Sequence, residues 1–302
     1  MNRLTLKKMR RDIGLYFLLL PGLIYYLVFK LLPMWGVLVA FQNYNPYLGF
    51  LGSPWIGFKN FTDFFSNPDF LRLIVNTLYL SLLNILFYFP APILIALLLN
   101  ELSRQWFKKG VQTLIYIPHF MSLVIVANIF YMMLTTDGGL INNLMEKLGY
   151  GKISFLSDPG WFRPIIILQT IWKETGWGTI IFLAALAGVD MEQYEAAFVD
   201  GAGRFRQLWH ITLPAIKGTI IILLILRMGS VLNTGFEQIY LMSNALNRSV
   251  AQVLDTYVYE VGITRGSFGY ATAVSLFKSI VGIILIYSTN FMAKKAGESG
   301  IF

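Results

Sequence analysis

Two charged side chains lie inside an otherwise apolar stretch of the chain, with aromatic residues beside them. Lys173 and Glu174 are adjacent, between Trp172 and Trp177, in a segment long enough to cross a bilayer. An ionisable group inside a membrane is costly, so each of the two is a candidate site residue. Because neighbours in a helix point about 100° apart, we do not expect these side chains to face each other well. Each one either pairs with a neighbouring helix or lines a path for a solute.

Further polar and aromatic residues in or beside apolar segments extend this candidate path. Aromatic rings pack against the C–H faces of sugar rings while polar side chains bond to the hydroxyls, so the mixture suits a carbohydrate better than an ion or an apolar drug. Hydrogen bonding between helices explains any single member without transport. The candidate path residues are Tyr131, Gln169, Trp172, Lys173, Glu174, Trp177, Asn233, Phe236 and Glu237, and Arg227 and Lys278 are further charges within apolar segments.

The chain carries no residue pattern for catalysis. It lacks the glycine-rich motif that cradles nucleotide phosphates. Its two histidines, His119 and His210, are far apart, and we expect each to be a hydrogen-bonded structural residue rather than a metal ligand. The absence of cysteine excludes disulfides and thiolate metal sites. We therefore expect no enzymatic activity, no metal and no cofactor in this chain.

Composition predicts an integral membrane protein that is all-α. Hydrophobic residues make up 56% of the chain and charged residues 13%, with a mean hydropathy of +0.61, whereas a soluble domain carries about a quarter charged residues. With no internal repeat and no linker, residues 1–302 are predicted to form a single transmembrane domain. Six segments approach the length needed to cross a membrane: Ile13–Phe41, Leu73–Leu99, Val111–Leu134, Pro164–Ala187, Ala215–Leu232 and Ala271–Met292.

The distribution of positive charge predicts the orientation of these spans. The net charge is +8, but the basic residues cluster beside apolar spans instead of forming one face. Membrane orientation and anionic lipid headgroups therefore explain the charge better than nucleic acid does. The basic clusters are Arg3, Lys7, Lys8, Arg10 and Arg11; Arg104, Lys108 and Lys109; Arg204 and Arg206; and Lys294 and Lys295. In a six-span chain all four clusters fall on one side, so the N- and C-termini are predicted to be cytoplasmic in a multi-pass protein of the cell membrane.

One polar segment, Glu195–Pro214, interrupts the apolar pattern. A short helical pattern runs from Met191 into it, and Gly201 and Gly203 predict a turn. Spacings of three and four then predict an amphipathic second helix, and Pro214 is predicted to begin a new apolar span. The apolar positions of the second helix are Phe205, Leu208, Trp209 and Leu213. This pattern alone predicts a helix–turn–helix loop against a membrane face.

The residues of this loop resemble the EAA loop in permease subunits of ATP-binding-cassette importers. The matching positions are Glu195, Ala196, Ala197, Asp200, Gly201, Ala202, Ile211, Leu213 and Pro214. The resemblance implies that residues 190–214 form a cytoplasmic coupling loop, which docks into a groove of a separate ATPase and transmits its closure to the transmembrane helices. ATP and Mg²⁺ would then be bound by that partner and hydrolysed there.

The resemblance covers nearly the whole chain. Residues 55–61 and 178–189 are similar to sugar permeases, and residues 235–241 and 255–259 resemble the subgroup that imports oligosaccharides and polysaccharide fragments, including lipoprotein-associated and alginate permeases. It implies the type I importer permease fold (MetI-like), with about six transmembrane helices. It also implies a heterodimer with a second permease, two ATPase subunits, an extracytoplasmic solute-binding protein and a carbohydrate substrate.

Two other functions stay open on the residues alone. A permease of the same type could carry another solute, such as glycerol phosphate or a peptide. A protein of another class, a secondary transporter or a membrane scaffold, would work without an ATPase, and its uptake would follow an ion gradient.

Overall fold

The computed structural model describes residues 12–297 and 300–301. These residues form helices and loops, with one isolated bridge between Gln42 and Trp55, in agreement with the predicted all-α class. The basic residues of the first eleven positions lie outside the described part. In chain order the principal helices are α1 (Ile13–Phe41), α2 (Phe70–Asn100), α3 (Gln105–Phe120), α4 (Leu123–Leu134), α5 (Pro159–Ala187), α6 (Met191–Val199), α7 (Arg204–Gly229) and α8 (Phe268–Lys295). Shorter helices lie at Gly49–Gly52, Lys59–Phe65, Leu140–Lys147, Phe236–Met242, Arg248–Ala251 and Leu254–Tyr259.

The predicted membrane spans all fall on these helices. Within the described residues, α1, α2, α7 and α8 are long and apolar enough to cross a membrane, and the bent pair α3 and α4 also qualifies if it counts as one span. The predicted span Pro164–Ala187 lies in α5, which has 29 residues but a polar centre around Lys173 and Glu174. This polar centre makes α5 less apolar than its neighbours, although its length is sufficient.

Wider helical turns accommodate two of the prolines inside the spans. In α2 the π-helical turn Asn84–Tyr88 precedes Pro90, and the Phe89 N–H donates to the Asn84 carbonyl at 2.9 Å. In α7 the turn Leu208–Thr212 precedes Pro214 in the same way. Proline has no N–H and its ring clashes with an ordinary helical turn, and a wider π turn before it leaves room for the ring. Both helices therefore continue through their prolines.

The predicted span Val111–Leu134 is not a single straight helix. Helix α3 ends at Phe120 and α4 begins at Leu123, and the two axes are bent by 101°. Pro118 lies in a tight 3-10 turn at the end of α3. Ser122 then caps α4, because its hydroxyl accepts the Ile125 N–H at 3.3 Å. A proline followed by a capping serine is a local stop-and-start signal that the run of apolar residues concealed.

The described residues group into two compact units. The first comprises residues up to 66 together with 261–276. Here the Asn60 amide donates to the carbonyls of Ala40 at 2.9 Å and Gln42 at 3.1 Å, and so fixes the loop that follows α1. Added to Gly269, a Cβ atom would meet the Gln42 carbonyl, so the start of α8 lies directly against this loop.

The second unit comprises residues 67–260 and 277 onward. One apolar core joins α4 and α5 to the helix Phe236–Met242; its fully buried members include Leu80, Val126, Ile166, Ile239 and Val253. A second core joins α2, α5 and α7 through Ala96, Leu97, Phe182, Leu186 and Ile216. This second core lies next to the polar loop after α5, so that loop is attached to a packed helix bundle. The assignment of a single membrane domain stays a prediction.

Candidate functional site

The polar loop begins with a capped helix. The Asp190 carboxylate accepts the Glu192 N–H at 3.0 Å and starts α6. Glu195 and Ala196 lie on the exposed surface of this helix, and Ala197 is half-buried. The prediction that Glu195 belongs to a helix starting at Met191 is confirmed.

Gly201 ends α6 in the way that its sequence predicts. Its φ is +74°, in the left-handed region that favours glycine. The Ala202 N–H donates to the Ala197 carbonyl at 2.8 Å, and the Gly201 N–H donates to the Phe198 carbonyl at 3.0 Å. These two bonds form a Schellman motif, which satisfies the last carbonyls of a helix and turns the chain sharply. Asp200, the capping residue, is exposed.

After the turn, the prediction of a separate amphipathic helix followed by a new span at Pro214 is wrong. The structure has one helix, α7, that runs from Arg204 to Gly229. The π-helical turn absorbs the proline, so no boundary is needed there. Ile211 and Leu213 are half-buried in this part of α7, and Pro214 is exposed.

Side-chain bonds tie the two arms of the loop together. The Tyr194 hydroxyl of α6 lies 2.9 Å from the Thr212 hydroxyl of α7, and Thr212 is buried. The Gln207 amide donates to the Ala202 carbonyl at 3.0 Å and so links the start of α7 to the turn. We call residues 190–214 the braced elbow: its two arms are tied together, and its second arm is continuous with the long apolar helix α7.

Large apolar side chains of the elbow point to solvent. Phe198, Val199 and Phe205 are each about three-quarters or more exposed, at 76%, 85% and 74%. A hollow of about 630 Å³ lies beside Phe205; it is lined by Gly201, Gly203, Arg204, Phe205, Arg206, Trp209 and His210. An exposed apolar surface beside basic residues is typical of a site for another protein. The sequence pattern identified Phe205 and Trp209 but missed Phe198 and Val199, because both fall outside the motif.

The charged pair inside α5 forms a network with the bend between α3 and α4. Contrary to the prediction that they would not face each other, Lys173 Nζ and Glu174 Oε1 are 3.0 Å apart. The other Glu174 oxygen lies 2.8 Å from His119 Nδ1, and Lys173 donates to the His119 carbonyl at 2.8 Å. The Cα–Cβ directions of Lys173 and Glu174 differ by about 100°. Both side chains are long enough to bend toward His119, where they meet. His119 is hydrogen-bonded, as predicted.

An aromatic ring covers this network. The Trp177 indole stacks on the His119 imidazole, with centroids 4.6 Å apart and planes 6° apart. Phe120 meets the same indole edge-on at 6.2 Å. About half of the Trp177 side chain stays exposed, at 48%. Sequence reasoning could not place His119 or Phe120 here, since they lie more than fifty residues before Trp177 in the chain.

Two glycines bring the neighbouring helices against α5. Added to Gly176, a Cβ atom would overlap the backbone carbonyl of Ile115 in α3; added to Gly178, it would lie 2.8 Å from the Pro92 ring in α2. Both glycines therefore allow close helix packing. In a bilayer the lipid tails are as apolar as the side chains, so the hydrophobic effect does not drive helices together. Close approach of their backbones is then a main source of helix association.

The remaining candidate residues of α5 lie near the helix Phe236–Met242. The buried Gln169 accepts from the Gln238 amide at 3.1 Å, and Gln238 also donates to the Ile166 carbonyl at 3.0 Å. The Gln169 amide nitrogen has no partner in the described part of the chain. Trp172 packs at 6.1 Å from Phe130, and Tyr131 is half-buried. Gln238 was not among the predicted site residues, because one glutamine in a short helix carries no pattern of its own.

The candidates after α7 form a different cluster. Asn233 and Glu237 are exposed, and Phe236 is half-buried. Phe236 lies 5.3 Å from Tyr240 and 4.8 Å from Tyr259, so three rings meet at this point. These rings belong to segments that the resemblance to oligosaccharide permeases had singled out.

The other charges within apolar segments also find partners. Lys278 of α8 forms an ion pair with Asp255, which also accepts the Thr234 N–H at 2.9 Å. The Arg227 guanidinium lies over the Tyr88 ring at 5.8 Å. Asp255 was missed, because an acid in a short helix gives no sign of the lysine that it will meet.

Known proteins resemble this chain over its full length. Protein LplB of Bacillus subtilis (strain 168) is 63% identical over 294 residues, which cover 97% of this chain and 92% of LplB. The polygalacturonan/rhamnogalacturonan transport system permease protein YteP of the same organism is 56% identical over 301 residues, which cover 100% of this chain and 94% of YteP. A chain in the crystal structure of a bacterial alginate ABC transporter, in complex with an alginate pentasaccharide-bound periplasmic protein, superposes with a TM-score of 0.90. It is 39% identical, and the match covers 98% of this chain and 99% of that one.

A family model matches residues 89–296, a region that holds the braced elbow and all of α5 and α8. Its description is "Binding-protein-dependent transport system inner membrane component". The chain therefore belongs to the family of inner-membrane components of binding-protein-dependent transport systems, the permeases of ATP-binding-cassette importers.

Proposed function

We propose that this chain is a permease subunit that carries oligosaccharides or fragments of polysaccharides into the cell. The names of its relatives support the substrate class: YteP is named for polygalacturonan and rhamnogalacturonan transport, and the similar crystal structure contains alginate pentasaccharide on its periplasmic protein. The polar and aromatic residues of α5 fit such a substrate, because sugars need both stacking surfaces and hydrogen-bonding groups.

The braced elbow is the observation that carries the coupling mechanism. Its exposed residues, among them Glu195, would dock into a separate ATPase that binds ATP and Mg²⁺. Tyr194 and Thr212 join the two arms of the elbow, and α7 continues into an apolar span. A displacement of α6 by the ATPase would therefore be transmitted directly to a transmembrane helix. The permease would then rock between two packed arrangements instead of opening a pore.

The solute path would run along α5. Trp172 and Trp177 are both partly exposed and would stack on sugar rings, while Glu174 would bond to hydroxyls. Gln169 is 1% exposed and would bond to hydroxyls only after the helices move apart. The ring cluster around Phe236, with the exposed Asn233 and Glu237 beside it, would add a second contact region. Tyr131 and Lys173 complete the proposed path.

The complete importer would contain this chain, a second and different permease, two ATPase subunits and an extracytoplasmic solute-binding protein. The outer segments 42–72 and 233–270 would meet the binding protein. Both termini and the elbow would face the cytoplasm, since Arg104, Lys109 and Arg206 would then lie on the inner side.

A matched pair of carboxylates tests the coupling role. Glu195→Ala should abolish uptake and loosen co-purification of the ATPase, because an exposed docking group is lost while α6 stays intact. Glu192→Ala removes an exposed carboxylate from the first turn of the same helix and should leave both nearly unchanged. Radiolabelled oligosaccharide uptake and pull-down of the ATPase measure the two effects. Equal behaviour of the two variants would remove Glu195 from the coupling site.

The substrate class is tested separately through the cognate solute-binding protein. Calorimetric titration should give affinity for oligosaccharides and none for glycerol phosphate or peptides. An ATPase-independent secondary transporter would show uptake that survives ATP depletion and follows an ion gradient. Failure of sugar binding would overturn the substrate assignment while leaving the coupling assignment intact.

A further inference from the structure

The first turns of α3 carry a basic and aromatic surface that belongs neither to the proposed coupling site nor to the proposed solute path. At 100° per residue, Trp106, Phe107 and Leu114 fall on one side of the helix, and Lys108 and Lys109 fall toward the other. The three apolar side chains are exposed, at 72%, 46% and 70%. A helix with large apolar groups on one face and lysines on the opposite face is typical of a membrane surface.

The positive charges of this surface are not neutralised by the protein. Arg104 and Lys109 are exposed and Lys108 is half-buried, and in the described residues none of the three forms an ion pair. The nearby acid in the sequence, Glu101, lies 3.8 Å from Arg204 of the elbow instead. In the described residues the three cations therefore have no acidic partner, and two of them, Arg104 and Lys109, are fully on the surface.

Packing sets the depth of this surface relative to the bilayer. Ile115 of α3 contacts α5 at Gly176, near the middle of that 29-residue helix. Ten residues earlier, at Gln105, the chain is about 15 Å farther along α3. Helix α2 ends at Asn100, only a few residues before α3 begins. The first turn of α3 thus lies at the end of an apolar span, where the hydrocarbon region gives way to headgroups.

We propose that Arg104, Lys108 and Lys109, together with the rings of Trp106 and Phe107, bind anionic phospholipid on the membrane face that carries the elbow. The rings enter the boundary between headgroups and acyl chains, and the cations meet the lipid phosphates. Charge complementarity favours lipid as the occupant: the surface has three positive groups and no acid, and it follows directly on a span. The site is separate from the path along α5 and from Glu195, so it does not rest on the proposed sugar substrate.

Lipid-specific fluorescence quenching tests this site in the complete importer. The importer is reconstituted in nanodiscs of phosphatidylcholine with a minor fraction of phosphatidylglycerol. Bromine atoms are placed on the acyl chains of the phosphatidylglycerol in one sample and on an equal amount of phosphatidylcholine in the other. The difference in emission between the unaltered protein and Trp106→Phe isolates the signal of Trp106. We expect brominated phosphatidylglycerol to quench that signal about twofold more than brominated phosphatidylcholine.

Charge variants then identify the cause. The triple variant Arg104→Gln, Lys108→Gln and Lys109→Gln should bring the quenching ratio to about one. The matched variant Arg104→Lys, Lys108→Arg and Lys109→Arg keeps the charge and should keep the ratio. Equal quenching by the two lipids in the unaltered protein, or a ratio that survives the glutamine variant, would overturn the proposal. So would the absence of quenching by either lipid, because the surface would then be covered by a partner protein.

Discussion

The elbow and the network around Glu174 are both polar, yet they are built in opposite ways. In the elbow the bonds that fix the geometry join residues that are close in sequence, such as Ala202 to Ala197 and Tyr194 to Thr212, 18 positions apart. In the network, Glu174 binds His119, 55 positions away. The elbow is exposed and complete in one segment, whereas the network exists only while the bend of α3 and α4 packs on α5. Damage to the elbow should therefore stop coupling, and damage to the network should first weaken the fold.

The largest effect is expected where α3 and α5 meet. Gly176→Ala places a methyl group against the Ile115 carbonyl, and the backbones must separate. We expect a loss of stability of about 1–3 kcal/mol, typical of overpacking, and with it a loss of assembled importer. Gly188→Ala is the control, because a Cβ atom added there would lie 3.5 Å from its nearest neighbour, the Ala185 carbonyl oxygen, in ordinary contact. Thermal unfolding in detergent measures both, and an unchanged melting temperature for Gly176→Ala would contradict the close packing.

The next largest effect is expected at the glycine turn of the elbow. A pair of valine variants separates the effect of backbone conformation from the effect of side-chain size. Gly201→Val and Gly203→Val each add a side chain where no other atom lies within 4 Å of the position that a Cβ atom would take, but only Gly201 has positive φ, at +74°. A left-handed conformation costs an ordinary residue about 1–2 kcal/mol, and more when the residue is β-branched.

We therefore expect uptake to fall by a factor of about 5–30 or more in Gly201→Val, and to change little in Gly203→Val. The amount of protein in the membrane should stay the same for both, as judged by immunoblotting. If the two valines reduced uptake equally, the shape of the turn would not be what couples the loop.

A smaller effect is expected from the charges of the network, and a double variant separates their structural and transport roles. Glu174→Gln leaves the Lys173 ammonium, whose side chain is 10% exposed, without its carboxylate. Removing one partner of a fully buried pair costs about 3–5 kcal/mol, and the cost here should be lower because Glu174 is about a third exposed.

Combining Glu174→Gln with Lys173→Met removes the unpaired charge and should restore much of the melting temperature. If the two groups line the solute path, uptake should stay low in the double variant. Full recovery of both melting temperature and uptake would make the pair purely structural.

The smallest effect should come from Trp172→Ala. This side chain is 39% exposed beside the buried core, so its loss should reduce uptake several-fold while ATPase co-purification changes little. Trp161→Ala is a matched control, since Trp161 has the same exposure of 39% but packs on Phe155, at 5.0 Å. Its loss should lower stability more than uptake. An equal loss of uptake and ATPase association in Trp172→Ala would mean that this residue is structural.

Particular residues show how far the sequence could predict this site. The turn at Gly201 and the helix that carries Glu195 were predictable, because their bonds lie within one or two turns of the chain. The continuity of α7 through Pro214 was not, since a π-helical turn that absorbs a proline leaves no distinct pattern. The bend at Ser122 had a signal in Pro118 and the capping serine, but the apolar residues on both sides outweighed it.

The class of integral membrane protein, the approximate spans and the polar loop with its glycine turn could be predicted from the residues alone, because hydropathy and local backbone preference act over a few residues. The pairing of Glu174 with His119 and Lys173, and of Lys278 with Asp255, became known from the packing of the helices. A buried charge requires a partner, but which residue becomes that partner depends on which helices pack together. The helix packing in turn depends on close contacts such as the one between Gly176 and Ile115.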